Sequence, residues 1–272
     1  MSNSRFGFRT RSGSIRSIIE SASIGAGLLD LYPGAAAAYS LRKLSSSYLG
    51  NAIRVRRASD NAEQNIGFSG NDLNTSELTT FCSGTSGFVT TWYDQSGNIN
   101  NAVQVASAAQ PQIVNTGTLI TTNGKPSMLL DGVDDDFYSP VGANSVTDLY
   151  FVINTSDQTY LYPYKSGGTY GFVAQIGSGS GSSSGYGTPA LYTNGILRTS
   201  STRGQVYTAQ NGYNVVVHQN ANTSAWTGGY NFFGYGGFNL NGNIQEMIIY
   251  LSSQSTNRPA IESNINLYYN IY

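Results

Sequence analysis

The side chains of this chain that could carry out acid–base chemistry are few and unevenly distributed. The sequence has 15 Asp and Glu residues and a single histidine. No Asp or Glu lies between Asp157 and Glu246, about a third of the chain. Cleavage of a glycosidic bond requires two carboxyl groups about 5 to 9 Å apart, one of them with a raised pKa. We therefore expect no such pair in the middle of the chain, and predict that the protein has no catalytic residues and is not an enzyme.

The remaining carboxylates offer a weak metal site at most. Asp131, Asp134 and Asp136 stand close together in sequence and could hold Ca²⁺, which takes six or more oxygen ligands. Their spacing matches no defined calcium loop, so a hairpin turn with Asx hydrogen bonds is favoured. His218 has no second histidine and no cysteine nearby, which argues against a zinc site or a Ser-His-Asp triad. We predict no cofactor, with Ca²⁺ as the alternative.

The composition is that of an all-β protein with one main domain. Charged residues make up 11% of the chain, and glycine (32) and tyrosine (20) are abundant. A net charge of -1 gives no reason to expect nucleic-acid binding, and the single cysteine excludes an internal disulfide. Neither a secretion signal nor a run of about 20 apolar residues is visible, so we expect synthesis in a host cytoplasm and no membrane contact.

Apolar patterning predicts where the main elements lie. Residues 240–251 are uniformly apolar towards their end and indicate a central strand covered on both faces. Pro259 and the apolar spacing after it predict a short C-terminal helix. In the first half, residues 35–44 read as a helical stretch and residues 73–81 as a short capped helix. Strands are predicted at residues 52–57, at residues 63–68 and from Phe88 onwards.

Two motifs resemble concanavalin A-like, laminin-G-type domains. One is Gly242-x-Ile-x-Glu246-x-Ile-Ile-Tyr250, followed by a Ser-rich turn and Ile261-Glu262 before Tyr268-Tyr269. The other is Pro126-Ser-Met-Leu-Leu-Asp-Gly-Val-Asp-Asp-Asp-Phe137. The resemblance implies a concanavalin A-like jelly-roll β-sandwich with a short C-terminal helix and an extended N-terminal anchor. It leaves function open, because lectins, enzymes and virion parts share this fold.

A second resemblance covers roughly residues 35–115. Its segments are Ala37-Ala-Tyr-Ser-Leu-Arg42, Val55-Arg-Arg-Ala-Ser-Asp60, Phe81-Cys82 and Tyr93-Asp-Gln-Ser-Gly-Asn98. They look like the opening of fungal-type α-L-arabinofuranosidase B catalytic domains, and a similar block with an Arg-rich leader occurs in bacteriophage virion proteins. Those enzymes carry a nucleophilic Glu in mid-domain, whereas the corresponding residues 171–177 contain no acid. They also carry several cysteines.

Residues 1–30 differ from the jelly-roll domain predicted for residues 31–272. Positive and aromatic side chains alternate there with Ser and Gly: Arg5, Phe6, Phe8, Arg9, Arg11 and Arg16. Such a segment lacks the apolar content to fold alone, so it is either a disordered leader or a docking anchor that orders on a partner. Residues 15–29 could form an amphipathic helix or a seam between identical chains, for which we expect a trimer.

A carbohydrate site is a further hypothesis. Aromatic rings stack on sugars, and Asn and Asp side chains hydrogen-bond to their hydroxyl groups. The candidates are Trp226, Tyr230, Tyr235, Asp94 and Asn98. The alternative is that these aromatic residues fill the core of the sandwich.

The function predicted from these features is structural. The Arg/Phe leader, the missing secretion signal and the hydrolase-like scaffold without a carboxylate pair favour a bacteriophage virion protein, a head fibre, decoration or tail fibre component. It would stand on the virion surface, bind other virion proteins through residues 1–30 and possess a lectin-like domain able to bind glycans. The alternative is a glycoside hydrolase of the arabinofuranosidase type.

Overall fold

A computed structural model describes residues 26–155, 159–165, 171–175, 186–199, 202–226, 228–235 and 238–272. The six anchor residues predicted at the N-terminus lie outside this part of the chain. The predicted boundary between residues 30 and 31 falls inside the first described helix. None of the helices in the described ranges is long and apolar enough to cross a membrane.

The described residues form mainly short strands. In chain order these are β1 (Ala37–Ser40), β2 (Ile53–Arg57), β3 (Glu63–Ile66), β4 (Phe68–Ser69), β5 (Asp72–Leu73), β6 (Gly87–Trp92), β7 (Ala102–Val103), β8 (Gln112–Asn115), β9 (Thr118–Leu119), β10 (Thr121–Thr122), β11 (Lys125–Pro126), β12 (Met128–Asp131), β13 (Phe137–Ser139), β14 (Thr147–Thr155), β15 (Thr159–Lys165), β16 (Gly171–Gln175), β17 (Ala190–Thr193), β18 (Ile196–Arg198), β19 (Gly212–Ala221), β20 (Tyr230–Phe232), β21 (Gly234–Tyr235), β22 (Phe238–Asn239) and β23 (Asn241–Tyr250). The helices are α1 (Leu28–Leu31), α2 (Thr75–Phe81), α3 (Arg203–Gln210) and α4 (Arg258–Tyr269), with a 3-10 turn at Ser107–Ala109.

The strands pack as two antiparallel layers. The first sheet has the order β18, β17, β19, β14, β23, and β1 and β12 share the far edge of β23. The second sheet has the order β16, β15, β20, β13, β7, β6, β2, β3. Strand β8 pairs with β6 and touches β12, which makes the two layers continuous. The predicted all-β sandwich with a short C-terminal helix is confirmed.

Alternating side chains build the core between the sheets. In β13, Phe137 and Ser139 point inwards and are fully buried, while Tyr138 points to the outer face. Phe137 lies opposite Phe232 of β20 and contacts Trp92 of β6, with ring centroids 6.0 Å apart. Phe151 of β14 enters the same core from the first sheet. The period of two residues in these strands therefore determines which residues face the core.

A second core covers the other face of the first sheet. Leu28 of α1 and Ile261 and Ile265 of α4 pack there against Tyr150 of β14 and Ile248 of β23. Strand β23 is thus buried on both faces, which explains its uniformly apolar end and confirms the central strand predicted from sequence.

The predicted helix over residues 35–44 is wrong. The segment contains β1, in which Ala37 lies opposite Ile249 and Tyr39 opposite Met247. Alanine favours helices by less than about 1 kcal/mol per residue, and tertiary pairing overrides such preferences. All four residues of β1 are buried, and the small alanine side chains fit between the two cores.

The predicted helix over residues 73–81 forms as α2, with the Asn74 side chain accepting the N–H of Glu77.

A buried ion pair between Arg42, which follows β1, and Glu246 of β23 lies beneath α4. The Arg42 Nε donates to Glu246 Oε2 at 2.7 Å and its Nη2 donates to Oε1 at 3.0 Å. Ser40 Oγ also donates to this carboxylate at 2.7 Å, as does the Tyr269 hydroxyl at 3.2 Å. Burial opposes the charge of Arg42, but the carboxylate outweighs it and the pKa of Arg42 is raised. Glu246 therefore compensates a buried cation beneath the C-terminal helix.

The Arg42–Glu246 pair generates a stability prediction. We expect Glu246→Gln to lower the free energy of unfolding by about 3 to 5 kcal/mol, because it leaves the buried guanidinium without a counter-charge. Urea unfolding followed by tryptophan fluorescence measures this. The matched control is Glu63→Gln, which breaks the exposed Arg54–Glu63 pair and should cost about 1 kcal/mol or less. Equal losses in the two variants would contradict the role given to Glu246.

Candidate active site

Most carboxylates in the described part of the chain serve the fold. Asp148 is fully buried and accepts the backbone N–H groups of Asn220 and Gln254, both at 2.7 Å. The others have comparable partners: Asp30 with Gly27, Ser45 and Ser46; Asp60 with Arg57; Glu63 with Arg54; Asp72 with Lys125; Glu77 with Gln64 and Asn74; Asp94 with Ala38, Ser96 and Asn100; Glu246 with Arg42; and Glu262 with Arg258. The described carboxylates that remain are the four in the turn between β12 and β13.

This turn, residues 131–136, brings several carboxylates together. Asp131 Oδ1 accepts the N–H of Val133 at 2.8 Å, which is the Asx turn predicted from sequence. The N–H of Asp131 donates to Asp135 Oδ2 at 2.9 Å. Carboxylate oxygens of Asp131, Asp134 and Asp135 all lie within 4.8 Å of one another. The calcium hypothesis named Asp136 as the third ligand, but the structure places Asp135 in this group instead, and calcium binding stays a prediction.

Two of these carboxyl groups have raised pKa values. Asp135 is 5% exposed, and its burial, together with the charges of Asp131, Asp134 and Asp136, raises its pKa to about 7 although the Asp131 N–H opposes this. Burial also raises the pKa of Asp136, and the charge of Asp134 adds to it. Asp131 and Asp134 are exposed. The turn therefore combines exposed carboxylates with carboxyl groups that hold a proton more strongly than usual.

Asp136 lies on the outer face of the second sheet, because the next residue, Phe137, points into the core. Its Oδ2 accepts the Asn231 side-chain amide at 3.1 Å and the Tyr164 hydroxyl at 3.3 Å. The Gln104 side-chain amide donates to the same carboxyl group. These three donors are neutral and come from β20, β15 and the end of β7. Asp136 is thus half-buried and fixed in orientation, and its hydrogen-bond donors in the described part of the chain carry no charge.

The aromatic residues proposed for sugar stacking lie elsewhere. Trp226 and Tyr230 are fully buried, and their ring centroids are 5.0 Å apart. Trp226 also stacks on Tyr186 at 5.4 Å. Both rings belong to the core between the sheets and offer no free face to a ligand, as the core-filling alternative anticipated. The side chain of Tyr235 lies outside the described part of the chain.

Asp94 and Asn98 hold a loop onto the segment before β1. Asp94 is 4% exposed, and its Oδ1 accepts the backbone N–H groups of Ala38 and Ser96, both at 2.8 Å. The Asn98 amide donates to the carbonyl groups of Ala35 and Ala36 at 2.9 and 3.2 Å. The structure does not bring Asp94 and Asn98 together with Trp226 and Tyr230 into one surface site. Carbohydrate binding by the set as a whole stays a prediction.

Sequence reasoning did not find Gln104, Tyr164 and Asn231. They are neutral residues 28 to 95 positions away from Asp136 in the chain, and no short motif connects them. The available signal was the position of Asp136 one residue before a buried strand residue, which places it on the outer face.

Comparisons with known proteins point to one enzyme class. A family model described as "Alpha-L-arabinofuranosidase B, catalytic" matches residues 30–129. An α-L-arabinofuranosidase B of Penicillium canescens is 36% identical over 94 residues, which cover 32% of this chain and 20% of that protein. A probable α-L-arabinofuranosidase B of Aspergillus terreus is 38% identical over 88 residues, which cover 30% and 17%. The matched part is thus about a fifth of these relatives.

Solved structures share the fold over a longer range. A GH54 α-L-arabinofuranosidase soaked with a cyclic sulfate inhibitor aligns with a TM-score of 0.52 and 17% identity, over 85% of this chain and 62% of that chain. An arabinofuranosidase complexed with arabinofuranosyl-α-1,2-xylobiose aligns with a TM-score of 0.51 and the same identity and coverage. At this identity the likeness concerns the fold.

These matches overturn the structural interpretation of the sequence. The family model, the curated relatives and the solved structures are arabinofuranosidases, so the predictions of a bacteriophage virion protein, of a location on the virion surface and of a protein without enzymatic activity are wrong. The Arg/Phe leader, the missing secretion signal and the acid-free stretch between Asp157 and Glu246 had favoured that interpretation. The carboxylates of the 131–136 turn precede that stretch, and folding places Asp136 beside Tyr164 and Asn231 from the later strands.

The raised pKa of Asp135 predicts a pH-dependent stability. Its pKa is 3.8 in an unfolded chain and about 7 in the folded protein, so the folded state binds more protons between these values. Stability from this group is complete below pH 3.8 and is lost as the pH rises through about 7. We expect wild type to lose at least about 1 kcal/mol more than Asp135→Asn over this range.

Urea unfolding at several pH values measures this difference. Asparagine retains an oxygen that can accept the Asp131 N–H, so the variant is a close match in shape. Other carboxyl groups with raised pKa values, such as Asp148 and Glu262, titrate in both proteins and cancel in the comparison. Parallel pH profiles for the two proteins would show that Asp135 titrates normally.

Proposed function

We propose that this chain is a glycoside hydrolase that cleaves α-L-arabinofuranosides by acid–base catalysis at the 131–136 turn. The observation that carries the proposal is that this turn brings four carboxyl groups together and that none of them forms an ion pair with a cation in the described part of the chain. One of them, Asp136, is partly exposed and has a raised pKa. Similarity to arabinofuranosidases supplies the substrate class, and the sandwich is taken as a concanavalin A-like jelly roll on the same grounds.

Asp136 is proposed as the proton donor. A general acid must hold its proton near the working pH and give it to the leaving oxygen as the glycosidic bond breaks. Burial raises the pKa of Asp136 and the charge of Asp134 adds to this, although the hydrogen bonds from Asn231, Tyr164 and Gln104 oppose it. The amides of Gln104 and Asn231 fix the orientation of the carboxyl group, so they act as positioning residues.

Asp134 is proposed as the second carboxylate. It is exposed, and its charge acts on the pKa of Asp136, so the two groups are close enough to interact. An ionised carboxylate at this place would stabilise the positive charge that develops on the anomeric carbon. It would also accept a proton from the water molecule that forms the new bond to this carbon, while Asp136 gives its proton to the leaving oxygen. Two carboxyl groups with different environments can thus take the acid and the carboxylate roles.

Hydrolysis of 4-nitrophenyl α-L-arabinofuranoside tests the proposal. This compound was soaked into a mutant of the GH54 relative. We expect Asp136→Asn and Asp134→Asn each to lower kcat by about 100-fold or more, because general acid–base groups contribute about 10² to 10⁴. Wild-type activity should also fall as the pH rises through the pKa of Asp136, since only its protonated form can donate.

The matched control is Asp60→Asn. Asp60 is an exposed acid paired with Arg57, and its substitution should leave kcat within about twofold of wild type. Thermal unfolding curves of all variants verify that they fold. A wild-type protein without turnover, or turnover that survives both turn substitutions, would overturn the proposal.

A further inference from the structure

A cleft of about 470 Å³ opens on a different part of the molecule from the 131–136 turn. Its walls come from α1 and the residues after it, from residues 45–50, and from the loop that follows β6. This volume falls within the range of about 300 to 1,000 Å³ that is typical of small-molecule sites. The turn contributes no residue to the walls.

The walls are polar but carry little net charge. Ser47 and Ser96 contribute hydroxyl groups, and Tyr48 contributes an aromatic ring. Asp30 is the one charged residue among those lining the cleft, and its carboxylate already accepts the N–H groups of Gly27 and Ser46 and the hydroxyl of Ser45. Hydroxyl groups and an aromatic ring without a free charge suit a neutral polyhydroxylated ligand better than an ion.

Hydrogen bonds hold these walls in place. Gln95 Oε1 accepts the N–H of Leu44 at 2.7 Å, and its Nε2 donates to the carbonyl groups of Ser40 and Arg42, both at 3.0 Å. The Tyr48 hydroxyl donates to the carbonyl of Asn51 at 2.9 Å, which fixes the ring. A site fixed before binding loses little conformational freedom when the ligand arrives.

Two glycines that line the cleft have a left-handed backbone conformation. Gly34 and Gly97 adopt φ angles of +89° and +92°, and a Cβ at either position would have no neighbouring heavy atom within 4 Å. Other residues rarely adopt these φ angles, so glycine avoids backbone strain at both positions.

The cleft also coincides with the recognisable part of the sequence. Every residue lining it except Leu29 lies within residues 30–129, the block matched by the arabinofuranosidase B family model. The buried Asp94 does not line the cleft, so the block contributes no catalytic carboxylate there. The residues that line the cleft are therefore suited to bind a ligand and not to cleave it.

We propose that this cleft is a second glycan site, which binds a neutral pentose-containing oligosaccharide with Tyr48 as the stacking ring and Leu49 as an apolar rim. Leu49 is 93% exposed, so it is free to cover the apolar face of a sugar. Such a site would hold a polysaccharide chain on the protein independently of bond cleavage. It does not require the 131–136 turn to be catalytic.

Isothermal titration calorimetry with an arabinosyl-substituted xylo-oligosaccharide tests the inference. The full chain is used with Asp136→Asn to prevent turnover. We expect Tyr48→Ala to weaken binding by about 10-fold or more and Leu49→Ala by about twofold to fivefold, because stacking area and apolar cover are lost. An acidic oligogalacturonate should bind at least about 10-fold more weakly, since the walls provide no cation.

Two matched controls accompany these variants. Tyr48→Phe retains the stacking ring but loses the hydroxyl bond to Asn51, and it should bind within about threefold of the parent. Leu267→Ala removes another exposed leucine, on α4, and should leave binding unchanged. Leu49→Ala decides the outcome if Tyr48→Ala fails to fold, because the Leu49 side chain is exposed. No saturable binding at millimolar glycan, or binding that neither variant weakens, would overturn the inference. Retained binding without turnover in Asp136→Asn separates this result from that of the proposed hydrolase activity.

Discussion

Burial of the first sheet on both faces is the constraint on which the rest of the structure depends. Strands β14 and β23 send alternate side chains into the core between the sheets and into the core beneath α1 and α4. A charged group placed in such a layer must be paired, because water cannot solvate it. Arg42 and Glu246 satisfy this requirement at the edge between β1 and β23, and the Tyr269 hydroxyl brings α4 to the same carboxylate. Helix α4 therefore covers both the Arg42–Glu246 ion pair and an apolar surface.

Partners determine what each acidic residue does. Glu246 is held by a guanidinium and serves the fold, and Asp94 is held by backbone N–H groups and fixes a loop. The hydrogen bonds that Asp136 accepts in the described part of the chain come from neutral side chains, and burial raises its pKa. Of these three acids it is therefore the one suited to donate a proton. The same functional group thus acquires a structural or a chemical role from its surroundings.

The block that resembles arabinofuranosidases, residues 30–129, mainly stabilises the fold. Gln95 bonds to the backbone on both sides of Lys43, and Asp94 bonds to the N–H of Ala38 in β1. These contacts keep β1 against β23 and form one wall of the cleft beside Tyr48. The carboxylates before Asp131 in this block all have hydrogen-bond or ion-pair partners, so they serve the fold.

The sequence by itself determined the elements that depend on neighbouring residues. The apolar run over residues 247–251 indicated a doubly covered strand, Pro259 indicated the start of α4, and the aspartates of residues 131–136 indicated an Asx turn. Periodicity and turn chemistry act within a few positions. Tertiary structure decided whatever depends on distant partners. Residues 35–44 contain a strand because β23 pairs with it, Trp226 is buried because the core encloses it, and Asp136 acquires its environment from Asn231, 95 residues away. Local preferences are worth less than about 1 kcal/mol per residue, so long-range pairing and burial override them.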